Sequence, residues 1–232
     1  MDSFLVTCEH GGNRLPAPCR PFFRGHEALL DSHRGYDPGA MVMAKALAGA
    51  FAAPLVLSTI SRLVVDLNRS IGHPQFLSSA MRGAPPQLRA KIIEQYYRPY
   101  RAEAERLVRQ AIARGRRVIH VSSHSFTPAL NGKVRGADVG LLYDPARPGE
   151  AALCARWKSS LAAIAPQLRV RRNYPYAGNA DGLTRDLRRR HPPRAYIGIE
   201  LEVNQGIVLG ARRRWTELRG ALIASLRAAC AL

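Results

Sequence analysis

Short apolar runs recur along the chain and alternate with longer stretches in which apolar positions return at helical spacing. Residues 4–8, Phe-Leu-Val-Thr-Cys, read as a buried strand running into the turn His10-Gly11-Gly12-Asn13, where glycine lets the backbone bend sharply beside a ligand. Asp37-Pro38-Gly39-Ala40 gives an N-cap followed by proline at the first helical position, opening a helix to about Phe51. Residues 54–58 predict a second strand and residues 63–67 a third extended piece. The stretch 72–86 mixes Gly, Pro, Ser and His without periodicity, as expected of a loop over a site. Helical spacing resumes from 86 towards 114, kinked or broken near Pro99, and Gly115 closes it. Strands at 118–122, 139–143, 168–172 and 195–203 then alternate with helices at 150–165, 182–190 and 212–229. This alternation predicts an α/β fold, a single domain with a mixed, mostly parallel sheet flanked by helices on both faces.

At 232 residues the chain is long enough for one substantial core and short for two. It carries no apolar run of bilayer length, and its first residues lack the basic and apolar regions of a secretory signal, so a cytoplasmic protein without membrane association is expected. Cys8, Cys19, Cys154 and Cys230 lie far apart with no Cys-x-x-Cys pair, which predicts buried free thiols instead of disulfides or a thiolate metal site. The net charge of +18, from 35 Lys and Arg against 17 Asp and Glu, raises nucleic acid as a partner. The excess is almost all arginine, spread over helix-like segments at 98–117 and 185–194 with no RNA-binding aromatic signature beside it, so a solvated surface is the favoured reading.

The candidate chemistry lies in four segments that follow, or lie within, predicted strands: Cys-Glu-His-Gly-Gly-Asn at 8–13, Ser-Arg-Leu-Val-Val-Asp-Leu-Asn-Arg at 61–69, Ser-Ser-His-Ser-Phe at 122–126 and Ile-Glu-Leu-Glu-Val-Asn-Gln at 199–205. Side chains at the ends of neighbouring strands converge in one crevice of an open α/β sheet. His10 and His124 each stand just past a predicted strand, and the pair points to a catalytic zinc, which takes three protein ligands and keeps one position open. His120 lies inside its strand and reads as packing. Arg62 and Arg69 flank an apolar run; a guanidinium there grips a carboxylate bidentately or stabilises an oxyanion, with Asp66 as orienting partner. Glu200 follows a buried-looking strand, where a carboxylate needs a partner or a task, and beside a metal it suits a general base that then serves as acid. Glu202 shares that strand face and remains its alternative.

These residues bring a family into view. Cys-Glu-His-Gly-Gly-Asn-x-x-Pro at 8–16, His33 through Asp37-Pro38-Gly39-Ala40, Ser61 to Arg69, Ser123-His124-Ser125-Phe126, Asn173-x-Pro-Tyr176 with Asp181-Gly182, and Gly198-Ile199-Glu200-Leu201-Glu202 stand in one order over most of the chain. In this the chain resembles the N-formylglutamate amidohydrolase family, whose members look distantly related to the zinc carboxypeptidases and aspartoacylase. The resemblance implies a phosphorylase/hydrolase-like α/β fold, one catalytic domain over 1–232, a Zn2+ cofactor and hydrolysis of a formyl-type amide on glutamate or a related amino acid, the substrate being a small acidic N-acyl amino acid. It implies His10 and His124 as zinc ligands, Arg62 as the group polarising the scissile carbonyl, Asn68 and Arg69 as the clamp on the substrate carboxylate, and Glu200 as the base. The carboxypeptidase-like relatives place a glutamate ligand three residues after the first histidine, where this chain has Asn13; Asp37 or Glu9 then replaces it, with His33 a further choice. The competing class is a basic nucleic-acid-binding protein on a non-catalytic hydrolase scaffold, whose affinity would fall steeply with salt.

Overall fold

A computed structural model describes residues 2–231. The strands are β1 (Asp2–Cys8), β2 (Leu55–Leu57), β3 (Arg117–Phe126), β4 (Ala129–Leu130), β5 (Lys133–Val134), β6 (Val139–Leu142), β7 (Val170–Arg172) and β8 (Tyr196–Asn204). The helices are α1 (Glu27–Leu30), α2 (Ala40–Ala50), α3 (Ser79–Arg82), α4 (Pro86–Ile92), α5 (Arg98–Ala113), α6 (Pro148–Ile164), α7 (Leu183–Arg190), α8 (Gln205–Val208) and α9 (Arg212–Ala229). β4 and β5 pair with each other, and the others form one six-stranded sheet in the order β2-β1-β3-β8-β6-β7. β2, β1, β3 and β8 run parallel, β6 is antiparallel to β8, and β7 is parallel to β6. The expected mixed, mostly parallel α/β sheet is what the chain forms.

Period-two alternation divides the central strands between two cores. Val6, Cys8, Ile119, Val121, Ile197, Ile199, Leu201 and Val203 face the core shared with α2, α6 and α9. There the fully buried Trp157 of α6 donates its indole N–H to Ser225 Oγ of α9 at 3.0 Å; a buried indole of this kind is worth about 3–5 kcal/mol against alanine. Leu5, Val118 and Tyr196 face the other way, onto Ile92, Tyr100, Ala104, Val108 and Leu183 of α4, α5 and α7. Further along the same face the strands turn polar, and register sets Thr7 beside Ser122, Ser122 beside Glu200, and His124 beside Glu202. The crevice therefore opens at the carboxyl ends of the parallel strands, as open α/β sheets dictate.

Three local expectations are corrected, and a fourth, the break near Pro99, is met in a specific form. Residues 63–67 are not a strand: Val64 N donates to Ser61 O at 2.9 Å and Arg69 N to Asp66 O at 3.2 Å, so the run is a series of turns, apolar because Leu63, Val64, Val65 and Leu67 are buried in the second core. β3 does not stop at 122 but continues through its polar residues to Phe126, paired with Asn204 of β8, so His124 lies inside a strand. Asp37 does not cap α2 with its side chain; Gly39 is the N-cap residue, and the carboxylate is used elsewhere. The break before Pro99 is a π-helical turn over Ile93–Tyr97, which absorbs the hydrogen bond that proline cannot donate. Cys8, Cys19 and Cys154 are buried free thiols and Cys230 is half-buried. Among the described residues, no helix is long and apolar enough to cross a membrane.

Candidate functional site

His10 follows the end of β1, held there because the next two residues lie against the segment that follows β2: a Cβ on Gly11 would fall 2.8 Å from Ser58 O, and one on Gly12 2.9 Å from Thr59 O. Close backbone approach is what these glycines serve; neither adopts a left-handed φ. Asp37, on the loop before α2, accepts on one oxygen from both histidines, at 3.3 Å from His10 Nδ1 and 2.8 Å from His124 Nδ1. The ring centroids of the two imidazoles are 5.1 Å apart. His10, Asp37 and His124, all buried, form a group that can hold a metal ion, with ligand atoms within 4.8 Å of one another.

Each imidazole is backed by a second carboxylate. His10 Nε2 lies 2.7 Å from Asp66 Oδ1, and His124 Nε2 lies 3.1 Å from Glu9 Oε2 and 2.9 Å from Ser122 Oγ. Glu9 is fully buried and also accepts from Ser122 Oγ at 2.7 Å and Tyr100 OH at 3.1 Å. Of the two carboxylates expected as third ligand, Asp37 faces both Nδ1 atoms, whereas Glu9 stands behind His124. A backing acceptor of that kind fixes the tautomer and raises the basicity of a ligating imidazole. His33 lines the cavity outside this group, and Asn13 donates to Asp31 at 2.8 Å and Leu30 O at 3.4 Å.

Electrostatics follow from this packing. Burial alone would raise the carboxyls of Asp37 and Asp66, but His10 and Arg62 beside both, with His124 also on Asp37, outweigh it and hold them below the usual range. Burial likewise opposes ionisation of Glu9 and His124, and their mutual hydrogen bond, together with Asp37 on the imidazole, reverses it: Glu9 is pushed down and His124 up. The donor set of two imidazoles and one carboxylate, each imidazole with an acceptor behind it, suits a divalent metal ion with nitrogen and oxygen ligands.

Arg62 lies over this cluster with its side chain partly accessible, donating to Asp66 Oδ2 through Nε and Nη2 at 3.2 and 2.9 Å and to Asp37 Oδ1 at 3.3 Å. Arg69 lines the same cavity and donates from Nη1 to Asp181 O at 2.8 Å, while the Asp181 carboxylate holds Ser70. Asn68 Oδ1 accepts from Leu183 N at 2.7 Å, so its oxygen is committed to the start of α7, and its Nδ2 lies 3.5 Å from His124 Nε2. Glu200 Oε1 accepts from Thr184 Oγ1 at 2.6 Å. Gly182 permits this crowding, since a Cβ there would sit 2.9 Å from Asn68 Oδ1 and 3.3 Å from Glu200 Oε1. Glu202 is buried, its Oε2 has no hydrogen-bond partner, and burial pushes its carboxyl up to about 8.

His10, Asp37, Arg62, Asn68, Arg69, His124, Glu200 and Glu202 thus border one cavity of about 570 Å3, and residues 74–82, the end of a loop and the short helix α3, supply part of its wall. Ser122, in the 122–126 segment, and Asp181, in the Asp181-Gly182 pair, stand out in the sequence without a role, while Thr184 and Tyr100, which also hold these groups in place, do not stand out. Three arginines are internal: Arg101, Arg147 and Arg188 are buried and donate to backbone carbonyls, with Asp186 as counter-charge to Arg101 and Glu150 to Arg188. His120 is a satisfied core histidine between Thr7 Oγ1 at 2.8 Å and Tyr196 OH at 2.6 Å.

Comparison with known proteins agrees with this picture. The fold is similar to that of a gene product from Agrobacterium tumefaciens, with TM-score 0.85 and 26% identity over 99% of this chain and 91% of that one. It is also similar to an N-formylglutamate amidohydrolase from Ralstonia eutropha, with TM-score 0.71 and 19% identity over 100% and 94% of the two chains. No curated protein gave a significant sequence match. A family model of N-formylglutamate amidohydrolase matches residues 2–209, nearly the whole chain, and the protein belongs to that family of amidohydrolases.

Proposed function

We propose that the protein is a zinc-dependent amidohydrolase that removes a formyl-type acyl group from glutamate or a related acidic amino acid. The observation that carries this reading is the pair of imidazoles turned onto one Asp37 oxygen, each backed by a carboxylate, at the floor of a cavity bordered by Arg62 and Arg69. His10, Asp37 and His124 would hold the metal, and Asp66 and Glu9 orient the two rings. When bound, zinc supplies Lewis acidity to the scissile carbonyl and lowers the pKa of an attacking water.

Arg62, fixed by two carboxylates but still partly accessible, stabilises the charge that develops on the carbonyl oxygen. Arg69 has one guanidinium nitrogen on Asp181 O and the remaining donors for a substrate carboxylate, and Asn68, whose Nδ2 lies near His124 Nε2, is a second donor bordering the same cavity. Glu200, steadied by Thr184, takes a proton from the attacking water and delivers it to the leaving nitrogen. The cytoplasm is the expected location. Metal analysis of the purified protein, with a hydrolysis screen of N-acyl amino acids, tests the proposal: about one zinc per chain and preference for acidic N-formyl substrates are expected. Full hydrolysis after chelation, or no metal uptake by the wild-type chain, refutes it.

A further inference from the structure

We infer that Arg34 forms an anion subsite at the outer edge of the cavity and receives one of the two carboxylates of an N-acyl acidic amino acid, while Arg69 holds the other. The inference rests on the amidohydrolase reading above and adds the group that tells a doubly charged substrate from a singly charged one.

The loop that brings Asp37 to the histidines also brings Arg34 to the cavity. Its backbone is pinned on both sides: Arg34 N donates to Ser32 Oγ at 3.2 Å, and Gly35 O accepts from Arg62 N at 3.1 Å and from Ser61 Oγ at 2.9 Å. Gly35 itself lies so close to the Leu30 carbonyl that a Cβ would not fit. A fixed backbone therefore carries a long, exposed side chain that borders the cavity. Among the described residues its guanidinium makes no hydrogen bond or ion pair; only its backbone N–H is engaged.

Four arginines border the cavity, and the other three already have tasks. Arg62 is held by Asp66 and Asp37 and serves the scissile carbonyl. Arg82 donates to Pro74 O at 2.8 Å, and Arg69 gives one nitrogen to Asp181 O and keeps the rest for a carboxylate. Arg34 retains its whole fork of donors, the arrangement that matches a carboxylate bidentately. Its surroundings favour an anion as well. Where residues 23–34 and 74–82 form the wall, they set His26, His33, Arg34 and Arg82 on the cavity and no carboxylate. Burial, then the charges of Arg34, Arg135 and Arg62, push His33 down against the pull of Asp37, so the field at this end of the cavity is positive.

The substrate presents the matching demand. An N-acyl acidic amino acid carries two carboxylates, and with Arg69 and Asn68 on one, the second needs a cation with free donors. A bidentate guanidinium–carboxylate pair is among the stronger ion pairs, and at an exposed arginine it is weakened by salt.

The test measures kcat/KM on three substrates: N-formylglutamate, N-formylnorvaline, which lacks the side-chain carboxylate, and 4-formamidobutanoate, which lacks the α-carboxylate. Arg34→Gln is expected to lower the value for N-formylglutamate about tenfold, through KM, and to lower it equally for one monocarboxylate while the other stays within about twofold. Arg69→Lys should spare the opposite monocarboxylate. Arg34→Lys should recover part of the loss, added salt should shrink the gap between wild type and Arg34→Gln, and Arg82→Gln should leave all three values within about twofold. No loss in Arg34→Gln, equal loss on all three substrates, the same monocarboxylate spared by the Arg34 and Arg69 variants, or the selective loss appearing in Arg82→Gln overturns the inference and leaves the amidohydrolase reading standing. Wild-type protein that hydrolyses none of the three overturns both.

Discussion

Glu9→Gln separates a carboxylate that coordinates from one that orients. Glu9 makes three contacts from a fully buried position, with Ser122 Oγ at 2.7 Å, Tyr100 OH at 3.1 Å and His124 Nε2 at 3.1 Å. Glutamine has nearly the same shape, and the two hydroxyls can reorient to suit an amide. The contact it cannot reproduce is the charge-assisted one behind His124, and exchanging that for a neutral hydrogen bond costs about 1–1.5 kcal/mol. Through the basicity and orientation of the imidazole, that energy converts to about tenfold in zinc affinity, the low end of the 10–100-fold range for such partners. Competition with a chromophoric chelator at fixed pH measures the constant, and thermal denaturation of the metal-free variant checks the fold. An unchanged affinity would show that His124 is not held through Glu9. Loss of all measurable zinc binding in a folded variant would make Glu9 a ligand and refute the geometry argued here.

Three further outcomes are expected. Glu200→Gln should retain zinc and bind substrate while turnover falls on the order of a hundredfold, the usual contribution of a general acid–base group, and near-normal turnover in single-turnover assays would move the role elsewhere. Arg69→Lys should raise KM for acidic N-acyl amino acids far more than for neutral ones, because an ammonium cannot reproduce the guanidinium fork; equal effects on both would remove the clamp from Arg69. Burial pushes His120 down to about 4, so it stays neutral in the fold while the unfolded chain takes up a proton below about 6.5. Stability therefore falls as pH drops from about 6.5 towards 4, by on the order of 3 kcal/mol in total, and His120→Gln should flatten that part of a denaturant-derived stability profile relative to wild type; parallel profiles would refute it.

Most of the fold was legible because burial writes itself into sequence with the period of the element that causes it. The exceptions share one cause: a residue chosen for the site does not report its backbone. Ser122 to Ser125 look like the end of a strand because they are polar, yet they are paired to β8 throughout and are polar because they face Glu9, Asp37 and the loop before α2. Leu63 to Leu67 look like a strand because they are apolar, yet their burial comes from turns packed into the second core.

Asp37 shows how far such a residue can mislead and what it can repair. Asp-Pro-Gly-Ala is a sound helix-start signal, and the helix does begin there, but the carboxylate that reads as its cap lies between two imidazoles and Arg62. The departure at Asn13 then has a structural answer. Asn13, three residues after His10, donates to Asp31 and to Leu30 O and does not line the cavity. The acid beside the histidines comes instead from 27 positions after His10, and spacing in the sequence carries no trace of that distance. What does carry a trace is conflict between levels: a carboxylate that satisfies a local capping rule yet is buried in the fold must be answered by charge from elsewhere, and here His10, His124 and Arg62 answer it.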